Sequence, residues 1–148
     1  MKITNRKAYF DYEIKDTVEA GIQLTGAEVK SAKAGAVEMG SSHVKIQDSR
    51  FKTQREAWLV GMQIYPYKHA DNTNYDPMRT RKLLLHQREL VALQMKMKSG
   101  GLTLIPTAIY TKSGFVKIEL GLARGKRKYE KRESIKKRDL ERGGDGGS

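Results

Sequence analysis

Apolar residues recur on a two-residue period in several stretches of this chain and on a helical period in two others. Tyr9, Phe10, Tyr12, Ile14 and Val18 predict one long strand, with Gly21 a bulge or bend before Ile22-Gln23-Leu24. His43 to Gln47 alternates strictly, Asp48-Ser49-Arg50 reads as a turn, and Ala57 to Ile64 reads as the partner strand, with Gly61 a bulge and Pro66 the stop. Lys82-Leu83-Leu84-Leu85 is an extended apolar run. Leu102 to Thr111 and Val116 to Leu122 predict a hairpin around Lys112-Ser113-Gly114.

Two segments carry helix signals. Thr25-Gly26-Ala27-Glu28 has capping-box spacing, so a helix over 27–34 is expected, stopped by Gly35. His86-Gln87-Arg88-Glu89 repeats that spacing ahead of Leu90, Leu93 and Met97, which share a helical face, and Gly100-Gly101 closes the segment. Lys96 and Lys98 suit the negative end of that helix. Between them, Tyr67 to Thr80 reads as a long, polar, mobile connection. Five or six short strands with a helix before the last hairpin predict a mainly β fold, an OB-type antiparallel barrel with two or three peripheral helices. Closing the barrel removes exposed sheet edges.

Charge divides the chain. Lys and Arg number 29 against 17 Asp and Glu, a net +12, which points to a polyanionic partner. Arg124 to Arg142 carries ten basic and four acidic residues, half the net charge, with only Tyr129, Ile135 and Leu140 as large apolar groups. Such a segment cannot bury enough surface to fold alone. The expected division is therefore a barrel over 1–123 and a basic tail over 124–148, disordered alone and helical when a polyanion screens its self-repulsion.

Composition excludes several chemistries. With no cysteine there is no disulfide framework, cysteine nucleophile or cysteine-based zinc site. His43, His69 and His86 have no metal-ligand spacing, and Asp71, Asn74 and Asp76 lack the glycine and terminal glutamate of a calcium loop. Glu19 and Glu28 could form a carboxylate pair, but Glu28 is better explained as a capping residue. No enzyme motif, cofactor, metal or small-molecule substrate is expected. No apolar run approaches the roughly 20 residues a membrane helix needs, and no leader precedes the first charges, so a soluble cytoplasmic protein is expected.

Nucleic acid remains. Basic clusters lie at Arg6-Lys7, at Lys30 and Lys33, at Arg79, Arg81 and Lys82, and along the tail. Tyr9, Tyr65, Tyr67 and Tyr75 could stack on unpaired bases. Core or rim packing is the competing reading for these tyrosines. A general single-strand RNA-binding module of OB type fits these observations as well as a dedicated RNA partner does.

Three stretches carry a resemblance. Glu19-Ala20-Gly21-Ile22 with Leu24-Thr25-Gly26 and Glu28-Val29-Lys30-Ser31 resembles the opening of the SmpB family, and Asp76-Pro77, Arg79 to His86 and Arg88-Glu89-Leu90 resemble its central segment. Gly121 to Lys126 with Lys131-Arg132-Glu133 resembles its C-terminal segment, so the likeness runs from about 5 to 138. It implies an OB-type barrel, tmRNA as partner, and rescue of stalled ribosomes by trans-translation. It implies further that the barrel stands in for the missing anticodon arm of the tRNA-like domain, and that the tail enters the decoding centre of the 16S rRNA and the empty mRNA channel.

Residue by residue, the resemblance ties Glu19, Leu84 and His86 to tmRNA binding. It makes Lys30, Lys82, Arg124 and Lys126 phosphate contacts that position the RNA, while Arg6, Lys7, Lys33 and Arg81 are expected to contact it as members of the basic clusters. Lys126, Arg127, Lys128, Tyr129, Glu130, Lys131, Arg132, Lys136, Lys137 and Arg138 become the ribosome-probing tail. Core packing is the competing reading of Leu84. The chain departs from the family at Ala8-Tyr9-Phe10-Asp11-Tyr12, where Ala-Arg-His-Asp-Tyr is usual. It departs again at Glu130, where Asp is usual, and at Gly143 to Ser148, where relatives often continue as a helix.

Overall fold

Asn5 decides how the chain begins. Its Oδ1 accepts the amide of Ala8 at 3.3 Å, capping a helix, while its Nδ2 donates to the Pro106 carbonyl at 2.9 Å. In the computed structural model, which describes residues 1–50, 53–126 and 132, Tyr9 and Phe10 therefore lie in helix α1 (Arg6–Asp11). The long strand expected from Tyr9 starts only at Tyr12. The two-residue spacing of Phe10, Tyr12 and Ile14 carried the strand pattern too far toward the N-terminus, and the asparagine cap overrode it there.

Among the described residues nine strands and three helices follow. Beside α1 these are β1 (Lys2–Thr4), β2 (Tyr12–Ile22), α2 (Gly26–Lys33), β3 (Val37–Glu38), β4 (His43–Asp48), β5 (Arg55–Val60), β6 (Gln63–Ile64), β7 (Arg81–Leu84), α3 (Gln87–Gly100), β8 (Thr103–Lys112) and β9 (Phe115–Gly125). Seven strands form one antiparallel sheet in the order β1-β8-β9-β2-β7-β5-β4, and β3 pairs with β6. The sheet curls until β4, at one edge, lies against β8, the neighbour of the other edge. This is the OB-type barrel with peripheral helices, and its interior is filled by Leu59, Met62, Ile64, Leu83, Leu104, Ile109, Ile118 and Leu120.

Local signals explain most boundaries. The Thr25 hydroxyl accepts the Glu28 amide at 3.2 Å and Glu28 accepts the Thr25 amide at 2.9 Å, completing the expected capping box. Ser113 and Gly114 both have positive φ, 51° and 82°, and make the two-residue hairpin turn of β8 and β9. Gly61, at φ +90°, does more than bulge a strand: it ends β5 and sends Gln63–Ile64 to a different sheet. Gly21 is no bulge, since β2 shifts register between Ile14 and Asp16 instead. The division expected after 123 falls inside β9, which pairs through Gly125 with Tyr12, and the Lys126 amide still reaches the Asp11 carbonyl at 2.9 Å.

The 67–80 connection is held at one buried point. Glu28, 1% exposed, accepts the Arg81 Nε at 2.9 Å, the Tyr75 hydroxyl at 3.2 Å and the Arg79 guanidinium. Arg81, 0% exposed, also donates to the Met62, Arg79 and Pro77 carbonyls. Burial pushes the Glu28 pKa up, but hydrogen bonds from Arg79, the Thr25 amide and Arg81 outweigh it and bring the group down to about 2.

Glu28→Ala strands the Arg81 charge in the interior, and a loss of about 3–5 kcal/mol in urea unfolding at neutral pH is expected. Because folding lowers the carboxyl pKa, its contribution is whole above the unfolded value of about 4.3 and fades as pH falls toward 2. Below that range the variant and the parent should converge in this contribution.

Candidate nucleic-acid interface

Strand alternation turns Arg81 and Leu83 inward on β7 and Lys82 and Leu84 outward. Leu84 is 53% exposed, so core packing does not account for it. It pairs with Gly21 of β2, and a Cβ on Gly21 would stand 3.1 Å from the Leu84 Cβ. Close approach of that leucine, not backbone conformation, is why glycine suits position 21.

Leu84 lies in a surface groove of about 370 Å³ that Glu19, Lys117, His86 and Glu89 also line. The His86 amide donates to Glu89 at 3.1 Å, fixing the start of α3 beside the groove. Glu19 accepts the Tyr110 hydroxyl, with the Lys112 ammonium 3.4 Å away. The Tyr110 hydrogen bond, with help from Lys112, holds the Glu19 carboxyl below its ordinary pKa, while burial and Glu19 hold the Tyr110 phenol far above its own. Glu19 is therefore a pre-oriented carboxylate, able to accept from base N–H groups, beside an apolar surface that suits a splayed base.

The structure brings Glu19, Leu84 and His86 together, and adds Lys117, which sequence reading missed. Its signal was present: on β9, Phe115, Lys117 and Glu119 point out while Val116, Ile118 and Leu120 point in.

The basic residues divide. Arg6 and Lys7 are exposed on α1, with Lys7 paired to Asp11 at 3.0 Å. Lys126 donates to the Tyr9 carbonyl at 2.9 Å, and Arg124 pairs with Glu13, whose carboxyl is lowered to about 2 by hydrogen bonds from Lys15 and Arg124. On α2, Lys33 is exposed and Lys30 sits 5.6 Å above the Tyr67 ring. Lys82 is 3.9 Å from Glu56.

Two candidates are corrected. Arg81 is fully buried on Glu28 and has no surface to offer a phosphate. Tyr75 gives its hydroxyl to Glu28 and the Ile64 carbonyl, so it is a strut of the connection rather than a stacking ring. Tyr9 and Tyr65 are exposed. Arg132 is exposed, whereas Arg127, Lys128, Tyr129, Glu130, Lys131, Lys136, Lys137 and Arg138 lie outside the described residues. Among the described residues no cluster of His, Asp or Glu is placed to hold a metal ion, and no helix is long and apolar enough to cross a membrane.

A barrel whose ligand-sized groove lies on its outer face, between oriented polar groups, is a binding protein of OB type. A family model described as SmpB protein matches residues 2–145, and the chain belongs to the SmpB family. The SsrA-binding protein of Persephonella marina is 51% identical over 94% of this chain and 88% of its own length. That of Chlorobaculum tepidum is 50% identical over 95% of this chain and 86% of its own. A solved chain described as "tmRNA-SmpB: a journey to the center of the bacterial ribosome" is 44% identical, with a TM-score of 0.69 over 90% of this chain and 94% of that one.

Leu84→Ala distinguishes a surface role from a core one. Urea unfolding should shift by less than about 1 kcal/mol, against the 2–5 kcal/mol of a buried leucine. A loss in the upper range would return Leu84 to the core.

Proposed function

We propose that this chain binds the tRNA-like domain of tmRNA and accompanies it to stalled ribosomes in the bacterial cytoplasm for trans-translation. One observation carries the reading: a half-exposed leucine sharing one groove with a pre-oriented carboxylate and a histidine, on the outer face of a barrel whose relatives are SsrA-binding proteins. Leu84 offers apolar surface to an unstacked base. Glu19 accepts hydrogen bonds from a base edge, or holds a neighbouring cation. His86 stacks on the same base or hydrogen-bonds to it.

Lys30, Lys82, Lys117, Arg124 and Lys126 contribute phosphate contacts that position the RNA without reading it. The basic segment beyond Lys126 acts on the ribosome, in the decoding centre and the vacant mRNA channel, where eight cations in the 16 residues 127–142 match a channel walled by phosphate. The protein's part in this is recognition and placement, with no covalent step.

Barrel and tail then separate. Truncation after Lys126, which spares all of β9, should leave tmRNA affinity within about threefold of the full chain in filter binding, under 1 kcal/mol. The same truncation should abolish tagging of stalled chains in a reconstituted translation system. Equal loss of both activities contradicts the division. Lys117→Gln should lower the magnitude of the salt slope of tmRNA binding by about 1, and an unchanged slope would show that Lys117 meets no phosphate.

A further inference from the structure

The chain has one tryptophan, and it is not in the core. On β5, Ala57 and Leu59 turn inward, which leaves Glu56, Trp58 and Val60 on the outer face of the barrel. Trp58 stands in register with Lys45 of β4 on one side and Lys82 of β7 on the other. Directly opposed side chains in adjacent strands start about 5 Å apart, so a lysine side chain leaves the sheet on each side of the indole. The indole Nε1 donates to Glu56 at 3.2 Å, which fixes the ring's orientation.

This row lies beside the groove. Lys82 and Leu84 share the outer face of β7, two residues and roughly 7 Å apart. Trp58 has no role in the Glu19–Leu84–His86 site. A partly exposed aromatic plane between two cations fits a nucleotide: the base stacks on the ring and the flanking phosphates meet the ammonium groups.

We propose that Trp58, with Lys45 and Lys82, forms a second RNA subsite that stacks one unpaired loop nucleotide of the same RNA that occupies the groove. The inference rests on the tmRNA reading above. It requires an unpaired base, because bases within a duplex have no free face to stack on an indole. The subsite adds affinity without choosing among bases, since every base has a π-face. Discrimination stays with Glu19 and His86.

The lone tryptophan reports on its own site. The full-length chain is titrated with the tRNA-like domain of tmRNA, following Trp58 emission and, in parallel, anisotropy of a dye on the RNA. Binding by anisotropy with matched quenching of Trp58 is expected. Trp58→Ala should weaken binding roughly 5- to 100-fold, and Trp58→Phe should retain most of the affinity. Lys45→Gln should reduce the salt slope by about 1 while leaving the fold intact by circular dichroism. It keeps the test open if the alanine variant fails to fold.

If the RNA binds yet emission is unchanged, or a folded Trp58→Ala binds as tightly as the parent, or Lys45→Gln keeps the parent's salt slope, the subsite is refuted and the groove reading stands. Absence of any RNA binding by anisotropy refutes both.

Discussion

A single buried carboxylate determines which residues this barrel shows to its surroundings. Glu28 holds Arg81 in the interior, and Arg81 in turn holds the Met62 and Pro77 carbonyls. A strand's side chains alternate, so fixing Arg81 inward fixes Leu83 inward and Lys82 and Leu84 outward. A slip of one residue would bury Leu84 and expose the guanidinium. The ion pair therefore sets the register of β7, and through it the floor of the groove, in addition to any stability it contributes. Buried pairs are weak evidence for stability but well suited to specifying one arrangement.

The same carboxylate orders the long connection. Residues 67–80 have few apolar groups with which to pack, yet Tyr75 and Arg79 both reach Glu28. Asn72 adds bonds from its side chain to the Tyr67 and Ala70 carbonyls. A polar segment that composition alone would leave loose is thus tied to α2 and β7 through hydrogen bonds to one ion.

Legibility in the sequence followed the range of the interaction. Capping boxes, hairpin turns and alternating strands are local, and the two helices after Thr25 and His86, the β8–β9 hairpin and the OB-type architecture were all readable. The start of the chain was not, because Asn5 caps α1 while bonding to Pro106, 101 residues away. Arg81 was misread as an RNA contact because a cluster of basic residues looks uniform in sequence. Yet it shares a strand face with Leu83, and that alternation is the signal that marks it as buried. Glu19, Leu84 and His86 were recognisable only as a resemblance. Their convergence on one groove depends on the pairing of β2 with β7, which no local pattern announces.

If register control by Glu28 and Arg81 presents a surface matched to one folded RNA, then affinity must depend on that RNA's shape and not only on its charge. The direct measurement is competition, at near-physiological salt, between the tRNA-like domain of tmRNA and an unrelated structured transcript of equal length. The account predicts a preference of at least about tenfold, near 1.4 kcal/mol, for the tRNA-like domain. Equal competition by the two RNAs would contradict it, leaving a barrel that grips phosphates without regard to what carries them.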